Sequence, residues 1–209
     1  MTKLYITRHG QTEWNIERRL QGHKDSALSA LGQQQAKWLG ERLNSIDLDI
    51  IISSSSGRTL KTSELIRGNR NINIIQNKGL MEINLGIWEG MLHTDIQNQY
   101  PSEYNNFWNS PLLYKSTDGE NFCDLINRVK ITIDSIITGY KDKNILIVTH
   151  AAVLKAMMVY FENKELKDFW SGPFMKETCL NIIETDGLSS RILLQGDTSH
   201  YQNVVIENE

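Results

Sequence analysis

Arg8-His9-Gly10 comes directly after the apolar run Leu4-Tyr5-Ile6. A histidine with an arginine beside it, set where a strand runs out into a turn, is poorly explained as packing. It suits a nucleophile in an anion pocket. Two further groups fall at equivalent places. Arg58 opens the helical pattern after Ile50-Ile51-Ile52, and His150 follows Ile145-Leu146-Ile147-Val148. In a doubly wound sheet the loops at the carboxyl ends of the strands gather on one edge, where ligands bind. Topology would therefore bring these distant residues together. Two guanidiniums and two imidazoles can offer bidentate, charge-assisted hydrogen bonds to a tetrahedral dianion. Phosphate is the natural guest, and helix N-termini after the same turns would add backbone donors. No G-x-x-x-x-G-K or G-x-G-x-x-G is present, so a nucleotide-fold reading has no motif to stand on.

The elements that must position these groups are legible as an alternation of short β-rich runs and helical patterns. Residues 4–7, 49–53, 72–75 and 144–149 are strand candidates, two of them apolar throughout, as strands covered on both faces should be. Ser29 is the expected N-cap of a helix in which Leu31, Ala36, Leu39 and Leu43 keep a helical period. A second helix is predicted over 58–67, ending before Gly68. From Glu120 onward, Phe122, Leu125, Ile126, Val129, Ile133, Ile136 and Ile137 predict a long amphipathic helix, and another is expected over 152–161. Residues 180–184 and 191–194 flank Asp186-Gly187, a hairpin signal. The pattern predicts a three-layer α/β fold: a mostly parallel, doubly wound sheet with helices on both faces and an antiparallel edge strand. Residues 91–119 fit this alternation badly, being rich in Asn, Ser, aromatics and two prolines. They are read as short helices and loops forming a small cap insertion at the end of the sheet, within a single domain spanning 1–209.

Composition narrows the chemistry. The chain has 209 residues, 40% of them apolar, enough for one large globular domain. A net charge of −3 lacks the basic excess that nucleic-acid binding requires, so any anion site must be made locally. Two cysteines, Cys123 and Cys179, give neither a disulfide framework nor a metal-binding pair. The most apolar stretch, 151–161, is short and broken by Lys155. With no signal peptide or membrane span recognised, a cytoplasmic enzyme without membrane or nucleic-acid partners is expected. Oligomeric state is left open.

A set of motifs then accounts for nearly the whole chain. Arg8-His9-Gly10-Gln11-Thr12-Glu13-Trp14-Asn15, Gln21-Gly22, Leu28-Ser29, Gly32, the stretches 53–58 and 82–90, and Val148-Thr149-His150 resemble, in order, the motifs of the histidine phosphatase superfamily, the phosphoglycerate mutase-like clan. Phe107-Trp108, Pro111, Tyr114, Gly119-Glu120, Phe122-Cys123-Asp124 and Gly196-Asp197-Thr198-Ser199-His200 further resemble its Bacillus-type broad-specificity phosphatases. The resemblance implies a phosphoglycerate mutase-like fold and a metal-independent, cofactor-free phosphomonoesterase for small-molecule phosphate monoesters. It implies that His9 becomes a phosphohistidine while Arg8, Arg58 and His150 hold the equatorial oxygens. Glu82 would protonate the leaving alkoxide and then activate water. Asn15, Gln21, Gly22 and Ala151 match phosphate- or substrate-contacting positions. Ala151 departs from the glycine of many relatives but keeps its backbone N–H.

Chemistry sets two demands on these roles. His9 must present a neutral nitrogen, which adjacent arginines favour, and Glu82 must be protonated for the attack step, so activity should favour mildly acidic to neutral pH. A mutase needs a lid that keeps water away. The short span from Glu82 to His150 and the nine-residue tail after His200 lack the insertion and closing tail of mutases, so water should win. The alternatives are an α-ribazole-phosphate phosphatase, a cofactor-dependent phosphoglycerate mutase, or an idle phospholigand-binding module. Among other residues, His93 and His200 are read as surface or core, and His23 as equally able to line the pocket or not. Arg18-Arg19 is read as a solvated helix face, Glu13 and Glu89 as turn or exposed residues, Trp88 as core or pocket wall, and both cysteines as buried.

Overall fold

The computed structural model describes residues 1–202. The part of the expected short tail over 203–209 lies outside the described residues. Thr2–Arg8 (β1), Ile50–Ser54 (β2), Ile74–Asn77 (β3), Asn144–Thr149 (β4), Leu180–Thr185 (β5) and Ser190–Asp197 (β6) form one mixed sheet in the order β3-β2-β4-β1-β5-β6. Pairings from β3 through β1 are parallel, and antiparallel pairing is confined to the β1-β5-β6 side. The β4 strand lies between β2 and β1 and pairs parallel with both, so the carboxyl ends of β1, β4 and β2 lie side by side.

The triple-isoleucine and Ile-Leu-Ile-Val runs are apolar throughout because each face has its own cover. Leu4, Ile6, Ile52, Ile145 and Ile147 pack with the buried side of Phe122–Gly139 (α6) and with Ala151–Glu162 (α7). Tyr5, Ile51, Leu146 and Val148 pack with Ala36, Leu39, Leu43 and Ile66 from Ala30–Arg42 (α2) and Gly57–Arg67 (α3). Alternation along each strand thus divides its side chains between two cores. Leu31 departs from the expected stripe and is exposed.

Local signals account for where the elements begin and end. Ser29 Oγ accepts from the Gly32 N–H at 3.0 Å and caps α2. Asn121 and Asp124 form a capping box at the start of α6. The β3 strand lies two residues later than its apolar residues suggest. Pairing begins at Ile74 opposite Ile51, and Ile72 is held in a turn by its N–H bond to the Arg70 carbonyl. The segment that breaks the alternation contains His93–Gln99 and Pro101–Asn109, two short helices divided where Pro101 occupies the first turn of the second. Phe107 at their centre is in ring contact with Trp88, Tyr114, Phe122 and Trp170, which ties the segment to α6 and to the loop before β5.

Candidate active site

The β1 and β4 strands run in register to Arg8 opposite Thr149, so the next residue of each is a histidine at the same level. The last rung of the ladder is the His9 N–H donating to the Thr149 carbonyl at 2.9 Å. His9 Nδ1 lies 2.8 Å from the Gly10 carbonyl. A carbonyl only accepts, so Nδ1 carries the proton and Nε2 keeps a lone pair. Burial holds the His9 pKa well below the ordinary histidine value, and the Arg58 and Arg8 guanidiniums depress it further, with the Gly10 carbonyl opposing them.

His150 has the opposite arrangement. Arg58 Nη2 lies 3.1 Å from His150 Nδ1, and a guanidinium only donates, so Nδ1 accepts. The proton is then on Nε2, which donates to Ser54 Oγ at 2.8 Å, and Ser54 is the last residue of β2. The His150 side chain is fully buried, and burial followed by Arg58 pushes its pKa well below the usual range. The two imidazoles meet edge-on with centroids 5.3 Å apart.

Both guanidiniums are fixed before any ligand arrives. Arg58 donates through Nη1 to the Lys24 carbonyl at 2.7 Å and Asp25 Oδ1 at 2.8 Å, and through Nη2 to the Gly22 carbonyl at 2.8 Å. Gly22 presents that carbonyl from a left-handed conformation with φ 53°. Arg8 Nη1 donates to the Met175 carbonyl and to Glu177 Oε1, each at 3.0 Å. Arg8 Nε, Arg58 Nε and Gln21 Oε1 are buried without a hydrogen-bond partner among the described residues. Gln21 Nε2 donates to Thr12 Oγ1, and Asn15 Oδ1 accepts from the Thr12 backbone and hydroxyl.

Glu82 approaches from the loop after β3. Its carboxylate accepts from the Ile83 N–H at 3.0 Å and, at 3.4 Å, from the Ala152 N–H in the first turn of α7. Its carbonyl accepts from His23 Nε2 at 3.0 Å. Arg8, His9, Asn15, Gln21, Gly22, Arg58, Glu82 and Ala151 all line one cavity of about 740 Å³, while His150 stands behind Arg58 and does not reach the lining. The far wall is largely aromatic, with Tyr104, Phe107, Trp108 and Trp170. Among the described residues no group of three or more His, Cys, Asp or Glu side chains is placed to hold a metal ion, and no helix is long and apolar enough to cross a membrane.

Three sequence readings need correction. Arg18 and Arg19 are not on a helix face. The helix Glu13–Ile16 is a single turn, Arg18 leaves it at φ 60°, and both arginines line the cavity. His93 also lines it, stacked on Trp108 with ring centroids 5.9 Å apart, because the short helix it begins faces the cavity. Cys123 is exposed on the outer face of α6, whereas Cys179 is buried. Glu89 does serve turns, its carboxylate accepting from the His23, Lys24 and Leu85 N–H groups, and Trp88 is buried in the core. Asp25, Ser54, Glu177 and the Met175 carbonyl were not singled out by sequence reasoning. Of these only Ser54 had a signal, since it lies within the 53–58 motif on the strand beside β4.

Residues 4–198 match the family model of the histidine phosphatase superfamily, branch 1. Over 171 residues the chain is 32% identical to phosphoserine phosphatase 1 of Hydrogenobacter thermophilus, covering 82% of this chain and 81% of that protein. A probable phosphoglycerate mutase GpmB of Proteus mirabilis is 32% identical over 163 residues, with 76% and 74% covered. The solved structure of Bacillus stearothermophilus YhfR superimposes with a TM-score of 0.94 at 44% identity, covering 96% of this chain and 99% of that one.

Proposed function

Because the chain belongs to the histidine phosphatase superfamily and is a phosphoric monoester hydrolase, we propose that it cleaves a broad range of small phosphate monoesters through a phosphohistidine on His9. The observation that carries this reading is the pair of buried guanidiniums, each with an Nε–H that has no acceptor among the described residues, flanking a histidine whose Nε2 lone pair is free. Leaving a buried charged donor unpaired is costly, and a phosphate dianion supplies the missing acceptors.

In the attack step Nε2 of His9 forms a bond to phosphorus as the bond to the ester oxygen breaks. The positive charge that develops on the imidazole is shared with the Gly10 carbonyl through Nδ1–H, while Arg8 and Arg58 neutralise the equatorial oxygens. Glu82 gives its proton to the departing alkoxide. It then takes one from water, which attacks phosphorus and releases His9 and inorganic phosphate. His150 serves the phosphate by fixing Arg58, whose Nη2 donates to its Nδ1. Asn15, Gln21, Gly22 and the Ala151 N–H complete the cradle. His9 stays neutral well below its ordinary pKa of about 6.5, so mild acidity leaves the nucleophile intact.

Breadth is supported by the cavity, which far exceeds a phosphate group and whose aromatic wall favours leaving groups by area rather than by specific polar contacts. Residues 91–119 act as the cap that supplies much of this wall, within a single domain. The unpaired thiols of Cys123 and Cys179 support a reducing compartment, the cytoplasm.

The test is phosphate release, with a chelator present, from p-nitrophenyl phosphate, phosphoserine, 3-phosphoglycerate and α-ribazole phosphate. We expect several to be hydrolysed by the wild type and none above background by His9→Ala. One strong substrate alone would overturn breadth, conversion of 3-phosphoglycerate to its isomer would indicate a mutase, and release unaffected by His9→Ala would remove the nucleophile.

A further inference from the structure

Glu82 stands on a segment with little regular structure of its own. After the 3-10 turn Lys78–Leu80 the backbone runs to Asn84 without joining a strand. A general acid must nevertheless be held to a fraction of an ångström of the leaving oxygen. Thr149 Oγ1 donates to the Leu80 carbonyl at 2.8 Å and His23 Nε2 lies 3.0 Å from the Glu82 carbonyl, but the widest set of bonds to this segment comes from one other side chain. Arg128, on α6, donates through Nη1 to the carbonyls of Gly79 at 2.9 Å and Met81 at 2.8 Å, and through Nη2 to that of Glu82 at 3.4 Å. Its remaining donors grip Glu120 as a fork, Nε to Oε1 at 2.8 Å and Nη2 to Oε2 at 2.7 Å. Glu120 in turn bonds the far end of the segment. Its N–H donates to the Asn84 carbonyl at 2.8 Å, and its Oε2 accepts from the Asn84 N–H at 3.3 Å. Both partners are partly buried, and their opposite charges meet at 2.7 Å.

We propose that Glu120 and Arg128 form a positioning unit for Glu82, fastening residues 79–84 to α6 so that the carboxyl meets the ester oxygen. This rests on the reading of Glu82 as the acid and base. Neither residue reaches the cavity. The role separates from mere structural support through the leaving group. Alkoxides need a proton as the ester bond breaks, whereas p-nitrophenolate departs without one, and kcat/KM reports only steps through that cleavage.

The experiment compares kcat/KM for an alkyl ester, phosphoserine or another alkyl phosphate that the wild type hydrolyses, with that for p-nitrophenyl phosphate. Arg128→Met should lose roughly 10²-fold with the alkyl ester, the scale of a 1 Å misplacement, and far less with the aryl ester. Glu82→Gln should show the same bias at roughly 10²- to 10⁴-fold. Arg128→Met placed on Glu82→Gln should add little. Arg128→Lys and Glu120→Gln, which keep part of the network, should show a smaller bias in the same direction and carry the test if Arg128→Met does not fold. Equal losses on both esters in the Arg128 and Glu120 variants, with the bias intact in Glu82→Gln, would overturn the positioning role alone. Absence of bias in Glu82→Gln would instead overturn the assignment of the acid, and the positioning role with it.

Discussion

The two site histidines carry their protons on opposite nitrogens, and each choice is enforced by a neighbour that can act in only one sense. The Gly10 carbonyl must accept, which leaves His9 Nε2 free, and the Arg58 guanidinium must donate, which leaves His150 Nε2 protonated toward Ser54. Ser54 is therefore the residue that makes His150 a stable acceptor for Arg58. Ser54→Ala leaves a buried imidazole N–H unpaired, which costs about 1–3 kcal/mol. It also lets the ring turn to the tautomer whose Nδ1–H faces Arg58. We expect urea unfolding to register that loss, together with weaker competitive inhibition by inorganic phosphate as Arg58 loses its anchor. Wild-type stability and phosphate affinity in Ser54→Ala would show that the tautomer is set without the hydroxyl.

Precision at His9 depends on how α2 and α3 close on the loop that follows it. Thr62 Oγ1 accepts from the Gly10 N–H at 3.0 Å, Gln35 Oε1 from the Gln11 N–H at 3.1 Å, and the Ser29 N–H donates to the Gln11 carbonyl at 2.9 Å. This approach is so close that a Cβ on Gly32 would clash with the Gln11 backbone, and one on Gly10 with the Gly32 carbonyl. Gly32→Ala should destabilise by about 1–3 kcal/mol, the scale of overpacking, and weaken phosphate binding because the relief displaces residues 10 and 11. Gly139→Ala, at the open end of α6, should do neither. Equal unfolding midpoints for the two variants would count against the close approach. The same packing accounts for what was legible. Runs covered on both faces announced β1, β2 and β4, and the residues just beyond them, His9, Arg58 and His150, inherited their places from the topology. The β3 strand was misplaced by two residues because an edge strand is half exposed and its apolar pattern is weak. Glu177 and His93 gave no signal. One lies in an irregular loop, and the other begins a one-sided helix of seven residues, where no periodicity reveals which way a side chain points.

At the scale of the whole molecule the same burial that readies the site for catalysis should set the acid limit of the fold. Four of the five histidines have their pKa lowered: His9, His93, His150 and His200. In each, burial is the leading cause. His200 is brought down to about 4, in a pocket closed by Thr178 and Arg42. Unfolding returns each ring to about 6.5, so below that pH the unfolded chain binds more protons than the native one. Stability is therefore intact above about pH 6.5 and is lost as the pH falls toward the folded-state values. His200 alone accounts for a loss on the order of 3 kcal/mol by about pH 4. Carboxylates held low in the native state, such as Asp49 beside Lys143, add their loss only below the ordinary aspartate range, so the two windows separate. Unfolding free energy measured from pH 7.5 to 4 should decline steadily from about 6.5, and His200→Gln should flatten that decline while leaving the share of His9 and His150. A plateau down to pH 4.5 would mean that the imidazoles are solvated enough to titrate freely and would remove the support for a neutral His9 at mildly acidic pH, whereas an unchanged slope in His200→Gln would remove the share of His200 alone.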